Sequence, residues 1–267
     1  MGYRTGKRSR NKKRSYKTKR NKIKVLIIKP SYTEAHMKSK EGEYFDKSHY
    51  TTIVNEDCDG YAIDEHGNKT LLFRFRKGVI PERLCKIGIA NLKKAAMKTH
   101  DNRGASAGII DYSKLSKLPL YARDPKQFNR VDKFRIMGYR SKITGKWVNN
   151  SFGNLSQSNI IGYFDKRDRN FKDSPPCRTT AFTSKQVDKW TKVIPLIENM
   201  DLQFKRLTPK NHKIQHKQAQ KTKFVIKNTA FSTVTINYNW RTALHKDAGD
   251  LKEGFGNLVV LEEGEYK

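Results

Sequence analysis

Near one end of the 267-residue chain an imidazole and a carboxylate stand two residues apart, at His245 and Asp247. In extended backbone, positions i and i+2 lie on one face, so both side chains would point the same way. A His and an Asp on one face, joined by a second His from elsewhere, make a 2-His-1-carboxylate triad. That triad takes one face of an octahedral Fe(II) and leaves three positions open, which suit a bidentate 2-oxo acid and O2. A chain with seven histidines also produces an H-x-D by accident, and an exposed turn tolerates one, so the surroundings must decide.

The element that would position the pair is the run at 231–240, rich in β-branched and aromatic residues. Its alternation puts Thr233, Thr235, Asn237 and Asn239 on one face and Val234, Ile236, Tyr238 and Trp240 on the other. A Thr/Asn face either meets solvent or lines a polar cavity. Runs at 223–227 and 257–261 also read as strands, and Leu71, Phe73 and Phe75 give period two further upstream. Leu84, Ile87, Leu92 and Ala95 follow helical spacing. Thr183 and Gln186 stand at capping-box spacing ahead of Val187, Trp190, Ile194 and Ile197, which predicts a second helix with a kink at Pro195. The middle of the chain, rich in Gly and Asn, reads as loops.

Composition bounds the partners. With 56 Lys+Arg against 26 Asp+Glu the formal charge is +30, which makes nucleic acid the default partner and an anionic membrane a weaker one. Residues 1–24 hold twelve Lys or Arg and no acid, the signature of a disordered arm that orders against phosphates, with Arg8, Arg10, Lys12, Lys13 and Arg14 as DNA contacts. The arm serves equally as a solubility tail or localisation signal. Residues 25–267 read as one domain. No apolar run is long enough for a membrane span or a signal-peptide core, so the chain is expected to be soluble, intracellular and without a membrane partner. Its expected place is the nucleus in a eukaryote, or the cell or host cytoplasm for a bacterium or phage. Cys58, Cys85 and Cys177 lie far apart, without the spacing of a disulfide framework or a thiolate zinc site.

The stretch 228–250, which contains His245 and Asp247, followed by Gly-Phe-Gly-Asn-Leu at 254–258, resembles the TET/JBP family of Fe(II)- and 2-oxoglutarate-dependent nucleic-acid base dioxygenases. It is most similar to the thymine-oxidising JBP branch, the base J enzymes. Ordered upstream segments carry the same likeness: Asn-Arg-Gly-Ala-Ser-Ala-Gly at 102–108, Ser-Asn-Ile-Ile-Gly-Tyr-Phe-Asp at 158–165 and Pro-Cys-Arg-Thr-Thr-Ala-Phe-Thr at 176–183. Phe204, Leu207, Pro209, His212 and Gln215 form a fourth. The resemblance spans roughly residues 100–265 and leaves out the basic arm.

The resemblance implies an α+β fold with a double-stranded β-helix (jelly roll) core and flanking helices, in which His245 and Asp247 match two iron ligands. Fe(II) would be the metal, and 2-oxoglutarate and O2 the cosubstrates. The reaction would be hydroxylation of the 5-methyl of thymine in DNA to 5-hydroxymethyluracil, on a base flipped out of the duplex. The same mechanism on 5-methylcytosine is the alternative substrate, and a non-catalytic DNA-binding relative is the alternative class. Asn237 and Asn239 are either cosubstrate contacts or strand-edge amides. Arg103 and Arg178 would hold a DNA phosphate or the cosubstrate carboxylate, or else make structural pairs. His212 reads as a hydrogen-bonded structural residue, and Gly104 and Gly108 as a loop that needs positive φ. The family's second metal His and its cosubstrate Arg follow the H-x-D, yet no His lies beyond His245. The domain is therefore expected to be truncated in its C-terminal part, with the remainder supplied by a second chain or a spliced continuation.

Overall fold

The computed structural model describes residues 23–29, 31–50, 52–115, 128–130, 132–141, 143–165, 177–247 and 251–261. The arm residues Arg8, Arg10, Lys12, Lys13 and Arg14 lie outside the described residues. The chain divides into two compact units, one of residues 1–29 and 55–75, the other of residues 30–54 and 76–267.

In the first unit β1 (Lys24–Ile27) runs parallel to β2 (Cys58–Ile63), and β2 pairs antiparallel with β3 (Lys69–Phe75). Lys24, at the edge of the basic arm, thus already belongs to a strand, with Cys58 as its partner. The β2–β3 turn closes on Asp64, whose carboxylate accepts the backbone N–H groups of His66 and Asn68 at 2.9 and 2.8 Å. The Asn68 side-chain amide, donating to Oδ2 at 2.9 Å, and then these backbone bonds hold its pKa below the ordinary 3.8.

The second unit opens with α1 (Glu34–Ser39), capped by the Thr33 hydroxyl. α2 (Glu82–Ala96) buries Leu84, Gly88, Leu92, Ala95 and Ala96 along one stripe, as the apolar spacing predicts. Then come β4 (Thr99–His100), β5 (Phe128–Arg130), β6 (Ile136–Arg140), β7 (Trp147–Phe152), β8 (Ser156–Asp165) and β9 (Cys177–Thr179). They are followed by α3 (Ala181–Lys185), α4 (Val187–Leu207), α5 (Pro209–Ala219) and β10 (Thr233–Asn237). β5–β6–β7 form an antiparallel meander over a small core of Ile110, Leu115, Ile136 and Phe152. β8 is the organising strand of the other sheet, pairing along its length with β4, β10 and β9 in turn, all antiparallel. The main core lies between this sheet and the helices: Ile161 of β8 and Ile236 of β10 meet Leu92, Phe182, Val193 and Ile197. The architecture is α+β, with one mixed sheet in the first unit and antiparallel sheets in the second, where helices pack on one of them.

Several expectations are revised. The middle of the chain holds β6, β7 and β8, and not loops alone. Thr183 does not cap the helix that begins at Val187: α4 follows Gln186 with no side-chain cap, Thr183 lies inside α3, which Thr180 caps, and the Thr183 hydroxyl accepts the Gly162 N–H at 2.8 Å. The run 223–227 is no strand: Lys227 takes a left-handed φ of 52°, and Ile226 N–H bonds back to Phe231 O at 2.8 Å, making a tight turn. The run 257–261 joins no sheet among the described residues, and Leu258 and Val260 are exposed. No helix among the described residues is long and apolar enough to cross a membrane.

Candidate functional site

β10 places the site. Along the strand Ile236 is buried in the core, while Thr233, Thr235 and Asn237 face outward. Asn239 then adopts a left-handed φ of 44°, which ends the strand. Exposure still alternates through the bend: Asn237 and Asn239 are both exposed, while Tyr238 between them packs against the core. Beyond this bend the segment leading to His245 is stitched down by its backbone. Ala243 N–H donates to Ser106 O at 2.9 Å, Leu244 N–H to Glu43 O at 2.9 Å, and Gly42 N–H to Leu244 O at 2.8 Å. The Arg241 guanidinium lies over the Tyr44 ring, 5.9 Å from its centroid.

His245 and Asp247 come together as their spacing predicts. His245 Nδ1 sits 2.8 Å from Ala243 O, so that nitrogen carries a proton and donates to the carbonyl, which turns Nε2 toward the open side of the ring. Nε2 lies 3.4 Å from Asp247 Oδ1, with the imidazole 25% and the carboxylate 71% exposed. At that distance the two are too far apart for a good hydrogen bond. They stand near the roughly 3 Å expected of two neighbouring ligands on one octahedral ion with bonds of about 2.1 Å. An imidazole fixed at Nδ1, with Nε2 aimed at a carboxylate oxygen, offers the donor types that two positions of an Fe(II) site take. Among the described residues no third His, Cys, Asp or Glu completes a triad.

Around the pair the other residues take distinct places. Arg103 precedes a 3-10 turn, Gly104–Ala107, whose Ser106 carbonyl holds Ala243. Gly104 and Gly108 have φ of 53° and 83°, in keeping with the need for left-handed backbone. Arg103 is half-buried, its Nε is shielded from solvent without a hydrogen-bond partner among the described residues, and burial pushes its pKa down. Arg178 on β9 is exposed and lies over the Phe164 ring at 5.3 Å, a cross-strand structural contact. His212 is buried at 5% exposure, its Nε2 3.0 Å from Asp201 Oδ1, which also accepts Ala230 N–H at 2.8 Å. That is the structural role its sequence context suggests. Ser158 was not singled out from the sequence: it faces Asn237 across the β8–β10 ladder, is 0% exposed, and its hydroxyl has no hydrogen-bond partner among the described residues. Only the strand register reveals it, because Ser in a polar stretch reads as loop.

Residues 159–267 match the oxygenase domain of the 2OGFeDO superfamily, in its Tet_JBP form. The segments at 176–183, 204–215 and 228–250 fall inside that match, and the Asn-Arg-Gly segment at 102–108 precedes it. Among curated proteins the chain is similar to "Thymine dioxygenase JBP1" of Trypanosoma brucei brucei, 39% identical over 119 residues, 43% of this chain and 13% of that protein. It is 38% identical over 117 residues to "Thymine dioxygenase JBP1-B" of Trypanosoma cruzi, 42% of this chain and 13% of that protein. To "Bifunctional helicase and thymine dioxygenase JBP2" of Leishmania tarentolae it is 33% identical over 108 residues, 40% of this chain and 10% of that protein. The aligned region thus spans about an eighth or less of these relatives. No solved structure matches the chain significantly.

Proposed function

We propose that this chain takes part in Fe(II)- and 2-oxoglutarate-dependent hydroxylation of the 5-methyl group of thymine in DNA, giving 5-hydroxymethyluracil, succinate and CO2. The observation that carries the reading is the His245–Asp247 pair, with Nδ1 tied to a carbonyl and Nε2 3.4 Å from Oδ1, inside the region matched to an oxygenase domain. Thymine is preferred to 5-methylcytosine because the relatives cited above are thymine dioxygenases. In this reading the β10–β8–β4 sheet is part of a double-stranded β-helix, and the third metal ligand comes from a partner chain or a continuation of this one.

His245 Nε2 and Asp247 Oδ1 would hold the iron. Bound there with 2-oxoglutarate and O2, the metal supplies the oxidant for a methyl C–H bond. The protein's own task is placement. The Ala243 carbonyl keeps the His245 proton on Nδ1, and the backbone bonds to Ser106, Glu43 and Gly42 fix the loop that carries the ring. Exposure of Asp247 leaves a wide approach, suited to a nucleotide swung out of a duplex. Arg103, with a shielded and unpaired Nε, is the group to receive a cosubstrate carboxylate or a phosphate, and the exposed Asn237 on β10 offers an amide.

The test supplies the chain, completed by the partner or continuation that brings the third ligand, with Fe(II), 2-oxoglutarate and thymine-containing DNA, then measures nucleoside composition, succinate and Fe(II) binding, in parallel with His245→Ala. The expected result is matched 5-hydroxymethyluracil and succinate, and metal binding that is lost in the variant while DNA affinity stays. Equal Fe(II) binding by wild type and variant would overturn the reading. Product from 5-methylcytosine alone would replace the substrate, and DNA binding with no metal binding would leave the non-catalytic alternative.

A further inference from the structure

From Leu202 to Lys246 the chain contains ten Lys or Arg and no Asp or Glu. Within that stretch α5 has two faces with different partners. Its inner side chains are polar anchors to the segments on either side of the metal pair. His216 Nε2 lies 3.1 Å from Asn228 Oδ1 and 3.2 Å from Asn228 O, ahead of β10. Asn211 Nδ2 donates to Glu253 O at 2.8 Å, beyond Asp247, and the buried His212 bonds Asp201. The outer side carries Lys210, Lys213 and Lys217, with Lys221 one turn further on, all exposed. At 3.6 residues per turn these four fall within an arc of about 80°, a single stripe. No carboxylate pairs with any of them among the described residues. Their spacings of three and four residues set like charges side by side, which disfavours the helix unless an anion lies along it.

We propose that the α5 lysine stripe is a docking surface for the phosphate backbone of duplex DNA, holding the helix beside the site while one base is presented to it. This rests on the reading of the chain as a DNA base oxygenase and adds where the duplex lies. Charge complementarity commits the surface to a polyanion. The exposed arc offers only Ile214 as a large apolar residue, so there is no apolar face to enter a membrane. Because α5 is pinned on both sides of the His245–Asp247 segment, the stripe keeps a fixed offset from the metal ligands, as a docking rail must.

The test is the salt dependence of full-chain binding to a thymine-containing duplex, without iron or 2-oxoglutarate, for wild type, for Lys210→Gln/Lys213→Gln/Lys217→Gln, and for a control of equal charge. The control, Lys38→Gln/Lys98→Gln/Lys146→Gln, removes exposed lysines scattered elsewhere. Gln keeps helix propensity close to that of Lys, and circular dichroism checks that both variants fold. Each lost phosphate contact lowers the slope of log affinity against log salt by about 0.9, so the stripe variant should lose about 2.7. Between 50 and 200 mM salt, wild-type affinity should therefore fall roughly 40-fold more than that of the variant. The control should keep the wild-type slope. An unchanged slope in the stripe variant, or an equal loss in the control, overturns the proposal. Since nothing in this measurement depends on turnover, a failed thymine-oxidation assay beside a reduced slope sinks the catalytic reading and leaves the surface standing.

Discussion

Replacing Asp201 by Ala tests the junction on which the candidate site is hung. Asp201 Oδ1 takes two hydrogen bonds, from His212 Nε2 at 3.0 Å and from Ala230 N–H at 2.8 Å, so one buried oxygen ties α4 to α5 and to the turn that enters β10. Its side chain is enclosed: the residue is 9% exposed, and the His212 ring beneath it packs edge-on against Phe204 at 5.2 Å. The Ala variant strands two buried donors, each worth about 1–3 kcal/mol when left unpaired. It also breaks a buried His–carboxylate contact, for which about 3–5 kcal/mol is the usual loss. The expected destabilisation is thus about 3–5 kcal/mol. Asp201→Asn keeps an acceptor oxygen for both donors and gives up only the charge, for a loss of about 1–2 kcal/mol. Urea unfolding read by circular dichroism measures both. With a slope of about 2 kcal/mol per molar, the Ala midpoint should drop by roughly 1.5–2.5 M and the Asn midpoint by less than half of that. Hydrogen exchange at the Ala230 amide adds a local readout, faster in Ala and nearly unchanged in Asn. A loss below about 1 kcal/mol in Asp201→Ala, or equal losses in the two variants, would refute the role assigned to the shared oxygen.

Gly162→Ala should destabilise the second unit by at least about 1–3 kcal/mol in thermal unfolding, since it forces a side chain into left-handed backbone. Gly162 has φ 92° and its added Cβ would sit 2.5 Å from Ser232 O, so a neutral result would mean that the β8–β10 register is wrong. Arg103→Met should leave the melting temperature unchanged or raised, because a half-buried Nε without a partner does little for the fold, while affinity for 2-oxoglutarate or DNA falls. A lowered melting temperature with ligand affinity intact would mark Arg103 as structural. Asp46 is held at about 2 by the Ser48 hydroxyl first, then the Ser48 amide and the His49 ring. A depressed folded-state value means that the contribution of Asp46 to stability is present above the ordinary 3.8 and is lost as pH falls through about 2. Ser48→Ala should move the Asp46 carboxyl titration, followed by NMR, up toward 3.8, and an unmoved titration would refute the assigned cause.

The helices were legible because burial writes a stripe: Leu84, Leu92 and Ala95 of α2 sit where the periodicity puts them, and α4 runs through Pro195 with Val193 and Ile197 in the core. β10 was legible for five residues, where Thr and Asn alternate with Val and Ile. The H-x-D pair was legible as chemistry, but its alignment depends on a feature no pattern reveals, the Ala243 carbonyl behind His245 Nδ1. β8 was missed because Gly162 and the flanking Ser and Asn residues mimic turn chemistry, while the left-handed Gly162 is in fact required by the close approach of Ser232 O. Residues 223–227 misled in the opposite way: Ile226 and Val225 have strand composition, and Ile226 uses its bulk to fill the core from a turn. Composition reports what a residue can bury, and only partners decide whether its backbone joins a ladder.

The pairing of β8 with β10 joins Gly162 to Thr233, about 70 residues apart in sequence, with α3, α4 and α5 in between. During synthesis at roughly 5–20 residues per second, the β10 edge of β8 waits about 4–14 seconds for its partner to be made. The intervening helices cover a face of β8 through Phe182, Val193 and Ile197, but they cannot satisfy its edge, which stays open to any other strand. Closing a loop of that length also carries an entropic cost of roughly 4 kcal/mol, so this pairing should be slow. The segment that carries His245 and Asp247 trails β10 and is made after it, so it takes its place on the unit only after that closure. A nascent chain would seat the His245–Asp247 segment only once the sheet beneath it can no longer slip register.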